Sequence, residues 1–228
     1  VINQFLLDRM PKISTLKRET RRRQILDAAL RCFSRDGFHN TTTADIARES
    51  GVSQGTLYLY FATKDDMIVA LADDRHEGEA FINAMAQSEQ DPLAGLGLLL
   101  ELHGRSLDDP KRADLRRVGI QGWAEALRNP TIHASIAEGT SLVSAEIVRL
   151  IERGQRTGLI KPGVAPGAVA RALIALFRGL MLEATLDGPV DLPDVGPLIE
   201  DMIRGALFTD AANVSHPKNS APSQEPHS

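Results

Sequence analysis

Apolar residues recur along this chain at intervals of three and four, the spacing that places side chains on one face of an α-helix. Ile25, Ala29, Cys32 and Phe33 form the first such stripe and Gly37 follows as its stop, which predicts a helix from about Lys17 to Asp36. Thr42, with Asp45 three residues on, has the pattern of a capping box and opens a short helix that carries Ile46 and Ala47 and ends at Gly51. Ser53 caps a second short helix ending near Phe61, and Thr63, Lys64, Asp65 and Asp66 start a longer one that runs to about Gln87. Further helices are predicted near Leu93–Leu107, Lys111–Arg128, Thr131–Arg156, Pro166–Asp187 and Val195–Thr209, with breaks at Asp91-Pro92, Asp109-Pro110, Asn129-Pro130, Lys161-Pro162-Gly163 and Gly188-Pro189. No strand pattern interrupts them. The expected fold is all-α, an N-terminal three-helix helix-turn-helix domain followed by a larger helical domain. The expected divisions are a flexible extension over 1–16, the small domain over 17–63, the larger one over 64–210 and a disordered, Pro- and Ser-rich tail over 211–228.

Two short helices joined by Gly51-Val52-Ser53 and stacked on a longer first helix form a helix-turn-helix, whose second short helix enters the major groove of DNA. Leu57 and Phe61 are i, i+4 neighbours expected to face the core, while Gln54 and Tyr58, or Thr56 and Tyr60, share outward faces. Gln54 stands at the N-terminal end, where glutamine pairs with adenine through two hydrogen bonds worth ~1–3 kcal/mol of discrimination. Thr42, Thr56, Tyr58, Tyr60 and Lys64 are donors suited to phosphate oxygens, which set register without reading sequence.

Charge points the same way. The net charge of −4 over 228 residues divides into +3 for residues 1–66 and −7 for the remainder, with nine basic residues between Arg9 and Arg35 against only Glu19 and Asp27. Double-stranded DNA is the expected partner of this end. The single cysteine, Cys32, excludes a disulfide framework and cysteine zinc ribbons, agrees with a cytoplasmic location, and on the buried stripe is expected to be an inert thiol. The longest apolar stretch, Leu93 to Leu100, falls far short of the ~20 residues that cross a bilayer, so no membrane is expected. The chain opens on Val1, so translation is expected to start either there, from an alternative start codon, or at Met10; the stretch before Met10 lacks the charge and apolar run expected of a signal peptide.

The run Thr42-Thr43-Ala44-Asp45-Ile46-Ala47-Arg48-Glu49-Ser50-Gly51-Val52-Ser53-Gln54-Gly55-Thr56-Leu57-Tyr58-Leu59-Tyr60-Phe61-Ala62-Thr63-Lys64 closely resembles the DNA-binding segment of TetR-family transcriptional regulators, and the likeness extends upstream through Arg23-Gln24-Ile25-Leu26-Asp27-Ala28-Ala29 and Gly37-Phe38. Departures are Ser50, where the family often has alanine, and Met67, where leucine is usual; Leu59 occupies a variable position, so no operator carries over. The resemblance implies DNA contacts from Thr42, Thr43, Ser53, Gln54, Gly55, Thr56, Tyr58, Leu59, Tyr60 and Lys64. Around Ile151-Glu152-Arg153-Gly154-Gln155 to Gly158, and along the helix after Pro166, the chain resembles the family's regulatory domain, which implies a ligand cavity and a dimer interface there.

For the interface, Leu173, Leu176, Phe177, Leu180 and Met181 on one helix and Leu198, Met202, Ile203, Ala206 and Leu207 on the last offer more apolar surface than one bundle needs on a single side, and pairing them across a twofold axis makes a homodimer. For the cavity, the candidates are Phe81, Met85, Leu99, His103, Ile120, Trp123, Leu127, His133, Ile136 and Leu142, a mostly apolar set with His103 or Glu101 to orient a small, moderately apolar effector. The expected activity is a ligand-responsive repressor that leaves a palindromic operator when the effector binds. An activator, a co-repressor-dependent regulator and a non-specific DNA-binding protein are the alternatives.

Other chemistry is weaker. Gly51-Val52-Ser53-Gln54-Gly55 fits G-x-S-x-G, the nucleophile elbow of α/β-hydrolases, but an elbow needs a strand leading in and here a helix precedes it. His39, His76, His103 and His133 show no metal-ligand spacing. No catalytic set, metal or cofactor is expected.

Overall fold

The computed structural model describes residues 10–73 and 92–210. Nine helices are assigned in them: α1 (Met10–Asp36), α2 (Thr43–Ser50), α3 (Gln54–Tyr58), α4 (64–73), α5 (Pro92–Asp108), α6 (Ala113–Ala126), α7 (Pro130–Arg156), α8 (Pro166–Leu186) and α9 (Leu192–Leu207), with a 3₁₀ turn over Pro110–Arg112 ahead of α6. Among the described residues the only β-pairing is an isolated antiparallel bridge, Ile160 to Phe208. The expected boundaries hold within a few residues except at the start. There α1 begins at Met10 and runs 27 residues, about 40 Å, so 10–16 of the expected flexible extension are helical. The end of the helix expected to reach Gln87, the first nine residues and the tail from 211 lie outside the described residues.

Local signals set the helix ends. Thr42 forms a full capping box with Asp45, and Gly51 closes α2 at φ +68°, a left-handed conformation that costs a side-chain-bearing residue energy. Ser53 accepts from the Thr56 N–H at 3.1 Å, so the serine of the hydrolase-like pattern is a helix cap. Thr63 and Asp66 cap α4 reciprocally at 2.9 and 3.1 Å.

The predicted stripe is the heart of the N-terminal core. Ile25, Ala29, Cys32 and Phe33 are fully buried with Ile46, Leu57, Phe61 and Met67. The same cluster takes in Val118 of α6 and Ile132 of α7, so apolar packing continues from the small domain into the larger one, and α4 contributes Met67, Ile68 and Ala70 to the small domain's core. A second cluster gathers Leu96, Leu99, Ile147, Leu150, Ile151, Ile160, Ala170, Leu207 and Phe208, and a third Leu107, Met181, Ala184 and Val190. Gly154 permits the second to close, because a Cβ there would lie 2.6 Å from Ile160 Cδ1. Burial pushes the Cys32 thiol above its ordinary value, which disfavours the nucleophilic thiolate. No described helix is long and apolar enough to cross a membrane.

Candidate nucleic-acid interface

The helix-turn-helix is held rigidly before any DNA arrives. Gln24 of α1 donates to the Ser50 carbonyl at 2.5 Å, Arg31 pairs with Glu49 at 2.9 Å, and both interactions fasten α2 to α1. The Arg31 hydrogen bond is also what holds the Glu49 carboxyl below its usual range. Asp45 is likewise depressed, first by the Thr42 hydroxyl, then by the Thr42 backbone N–H and by Arg48.

On this scaffold α3 presents Gln54, Gly55, Tyr58 and Leu59 outward, with Leu59 77% exposed, while Leu57 is fully buried. Gln54 makes no side-chain hydrogen bond among the described residues, so both halves of its amide are available to a base edge. Tyr58 and Thr43 share a hydrogen bond of 3.0 Å between their hydroxyls, which ties the start of α2 to the end of α3 and puts both groups on one surface.

Other expected contact residues have structural duties instead. Thr42 donates its hydroxyl to Asp45 at 2.5 Å and accepts from the Asp45 N–H, so it is a cap first. The Ser53 and Thr56 hydroxyls bond each other at 2.9 Å. Tyr60 is half-buried against the core. Lys64 departs furthest from the expected role of phosphate donor. Its ammonium donates to the carbonyls of Phe38 and Thr41, each at 2.7 Å, approaches that of His39 at 3.4 Å and lies 4.7 Å from the Phe38 ring centroid. It clamps the α1–α2 loop because that loop leaves carbonyls that no helix satisfies. Of the basic residues of α1, Arg31 and Arg35 are engaged with Glu49 and Asp36, whereas Lys17 and Arg18 are exposed and make no ion pair among the described residues.

A second polar surface was not foreseen. Asp114, Arg117, Gln121 and Glu125 lie three and four apart along α6 and dock on the small domain. Gln121 accepts from the Phe38 N–H at 2.9 Å and donates to the Phe33 carbonyl at 3.0 Å, Ser34 donates to Asp114 at 2.5 Å, and Glu125 lies 2.9 Å from the His39 ring and 3.0 Å from Arg128. Asn129 adds a 2.6 Å bond to Asp65. In one sequence this stripe is indistinguishable from a solvated helix face.

The proposed effector residues are not brought into one place. Trp123 and Ile120 pack at the third cluster, Leu99 belongs to the second, His133 is exposed and Leu127 is 89% exposed, as the turn after α6 aims it outward. Leu142 is also exposed and Ile136 half-buried, while Phe81, Met85 and the His103 side chain lie outside the described residues. The expected dimer residues divide similarly. Met181 is 2% exposed and belongs to the monomer core, and Leu173, Phe177, Leu180 and Ile203 are half-buried against the regulatory clusters. Leu176, Leu198 and Met202 are exposed, joined by Leu182 and Leu186.

Among the described residues no group of histidine, cysteine and carboxylate is arranged to hold a metal. A sequence model described as "Bacterial regulatory proteins, tetR family" matches residues 25–71, and one described as "BetI-type transcriptional repressor, C-terminal" matches residues 98–207. The chain is 27% identical over 209 residues to the HTH-type transcriptional regulator BetI of Burkholderia lata, covering 88% of this chain and all of that one. It is 28% identical over 197 residues to the HTH-type transcriptional repressor Rv1474c of Mycobacterium tuberculosis, covering 86% and 99%. Among solved structures it is similar to a SmeT–triclosan complex, with TM-score 0.71, 23% identity and coverage of 91% and 100%. It is also similar to a Saccharomonospora viridis regulator in complex with choline, with TM-score 0.66, 27% identity and coverage of 82% and 97%. With both halves matched in order on an all-α helix-turn-helix scaffold, this chain belongs to the TetR family of bacterial transcriptional regulators.

Proposed function

We propose that this chain is a repressor that binds a palindromic operator as a homodimer and leaves it when a small effector with a mostly apolar body enters the regulatory domain. The observation that carries the reading is the exposed, unengaged amide of Gln54 at the start of α3, flanked by Leu59 and by the bonded Tyr58–Thr43 pair. Gln54 reads an adenine, Leu59 meets a thymine methyl, and Tyr58 and Thr43 bind phosphate. Dimerisation is supported by the apolar faces left open, with Ala172, Ala175, Leu176, Gly179, Leu182 and Leu186 on α8, and Leu198 and Met202 on α9. Pairing these helices across a twofold axis sets two α3 helices about 34–36 Å apart, or a multiple of it, to reach successive major grooves.

Release follows from the two faces of α6. Its polar stripe grips the α1–α2 loop, while Ile120 and Trp123 turn toward the third cluster. A molecule lodged on the inner face shifts α6 and with it the α3 spacing, and a few kcal/mol of differential affinity moves the population. That relatives are solved with choline and triclosan supports a small organic effector. The test is selection of genomic fragments by the purified protein at near-physiological salt, with footprinting of what is retained. A twofold-symmetric footprint is expected, and retention without sequence preference refutes the operator reading. Sedimentation of a monomer at micromolar concentration refutes the dimer.

A further inference from the structure

We infer that the regulatory domain takes an organic anion, with its carboxylate or an equivalent acidic group on Arg178 beside Trp123. The inference rests on the effector-responsive reading above and names the effector's class. Arg178 turns inward from α8. Its guanidinium carbon lies 5.5 Å from the centroid of the Trp123 ring on α6, and its Nη2 donates to Thr140 Oγ1 of α7 at 2.9 Å. The Thr140 hydroxyl donates in turn to the Ile136 carbonyl at 2.8 Å, so it meets the guanidinium as an acceptor. Three helices therefore converge on one half-buried cation.

Among the described residues that cation has no carboxylate partner. Four other arginines of this half pair with a carboxylate one helical turn away, Arg112–Asp109, Arg128–Glu125, Arg149–Glu146 and Arg204–Glu200. For Arg178 the positions one turn away are Ile174, Ala175, Met181 and Leu182, and its partners are one hydroxyl and one aromatic face. A guanidinium carries five donors in a fork that matches a carboxylate, and a partly desolvated one gains most from such a partner. Ile120, Phe177 and Leu180, half-buried with Trp123 at the third cluster, supply the apolar surface for the ligand's body.

The same geometry argues against a quaternary ammonium. Aromatic faces are what bind such cations, and the face of Trp123, the only tryptophan in the chain, already carries a guanidinium. A second cation has to displace Arg178 or sit beside it. An anion arriving at Arg178 has a route to the DNA-binding half: at position 122, adjacent to Trp123, a Cβ would lie 3.9 Å from both Ile68 of α4 and Ile136 of α7.

The test uses full-length protein without DNA and reads Trp123 emission during titration with hexanoate, 1-hexanol and hexyltrimethylammonium, which share a tail and differ in charge. Binding in the order anion, alcohol, cation is expected. Arg178→Gln should weaken hexanoate by about tenfold or more and leave 1-hexanol unchanged, with Arg178→Lys in between. Circular dichroism checks that the variants fold, and Thr140→Val, which keeps the charge, should retain the preference for the anion. Equal or tighter binding of the cation, hexanoate binding unaltered in Arg178→Gln, or no saturable binding of hexanoate overturns the inference. Operator release is measured separately. Hexanoate binding without release sinks the effector-coupled reading but not the anion site, and release by choline alone sinks the anion site but not the regulator.

Discussion

Replacing Lys64 with methionine separates two roles for one residue. Lys64→Met keeps the stem and removes two short hydrogen bonds to the Phe38 and Thr41 carbonyls, a longer approach to His39 and a contact with the Phe38 ring. A hydrogen bond to a charged group is worth about 1.5–3 kcal/mol and a cation–π contact about 0.5–1. Lys64 is half-exposed and water can replace part of each bond in the variant, so the loss falls below the low-end sum, at about 2–3 kcal/mol. For a chain of this size each kcal/mol moves the melting temperature by about 2–4 °C, so a fall of about 5–10 °C is expected in calorimetry without DNA. A lysine that serves only as a phosphate donor leaves a different signature: an unchanged melting temperature, with the slope of log affinity against log salt shallower by about 0.9. A melting temperature within a degree or so of wild type refutes the clamp.

Three further outcomes are expected. Gly154→Ala forces a methyl to within 2.6 Å of Ile160 Cδ1, a fully buried side chain, and overpacking of this kind costs about 1–3 kcal/mol, to be read from denaturant midpoints. Asp45 is depressed in the folded state, so its contribution is complete above its unfolded value of about 3.9 and is lost as pH falls through the lower folded value; the melting advantage of wild type over Asp45→Asn, present near neutrality, shrinks as pH drops below about 4. Lys17→Ala with Arg18→Ala removes two exposed cations, and the salt slope of operator binding should fall by roughly 2 while sequence preference is kept.

What a single sequence makes legible is whatever depends on neighbours along the chain. The caps at Thr42, Ser53 and Thr63, the stripe through Ile25 and Phe33 and the prolines that open α5, α7 and α8 act over one or two turns, so their residue types declare them. The outward placement of Gln54 follows from the same logic, since burying Leu57 and Phe61 fixes which side of α3 remains. Lys64 and Gln121 were not legible, because each acts on backbone atoms of Phe38, 26 and 83 residues away. Met181 was misassigned because an apolar residue on a two-sided helix is compatible with either face, and only the packing of α8 between Leu107 and Val190 decides. Residues 10–16 offer only Met10, Ile13 and Leu16 as apolar positions, with Pro11 among them, too short a pattern to declare the first two turns of α1.

The joint between the two halves constrains how release can occur. Val118 and Ile132 are buried in the N-terminal cluster, and exposing two such side chains costs about 1.5–3 kcal/mol each. The polar grip adds about 0.5–1.5 kcal/mol for each neutral hydrogen bond of Gln121. Full separation of the halves therefore costs more than the ~1–3 kcal/mol typical of coupling between sites. A ligand with ordinary differential affinity cannot detach the DNA-binding domain, but it can slide α6 along the apolar contact and exchange partners within the polar stripe. Because Phe38 and His39 lie on the one loop that the stripe holds and that Lys64 of α4 clamps, a small movement of α6 is delivered directly to the start of α2. On the proposed release mechanism, the coupling is a pivot of a packed unit about the α1–α2 loop, and the distance between paired α3 helices is the quantity it changes.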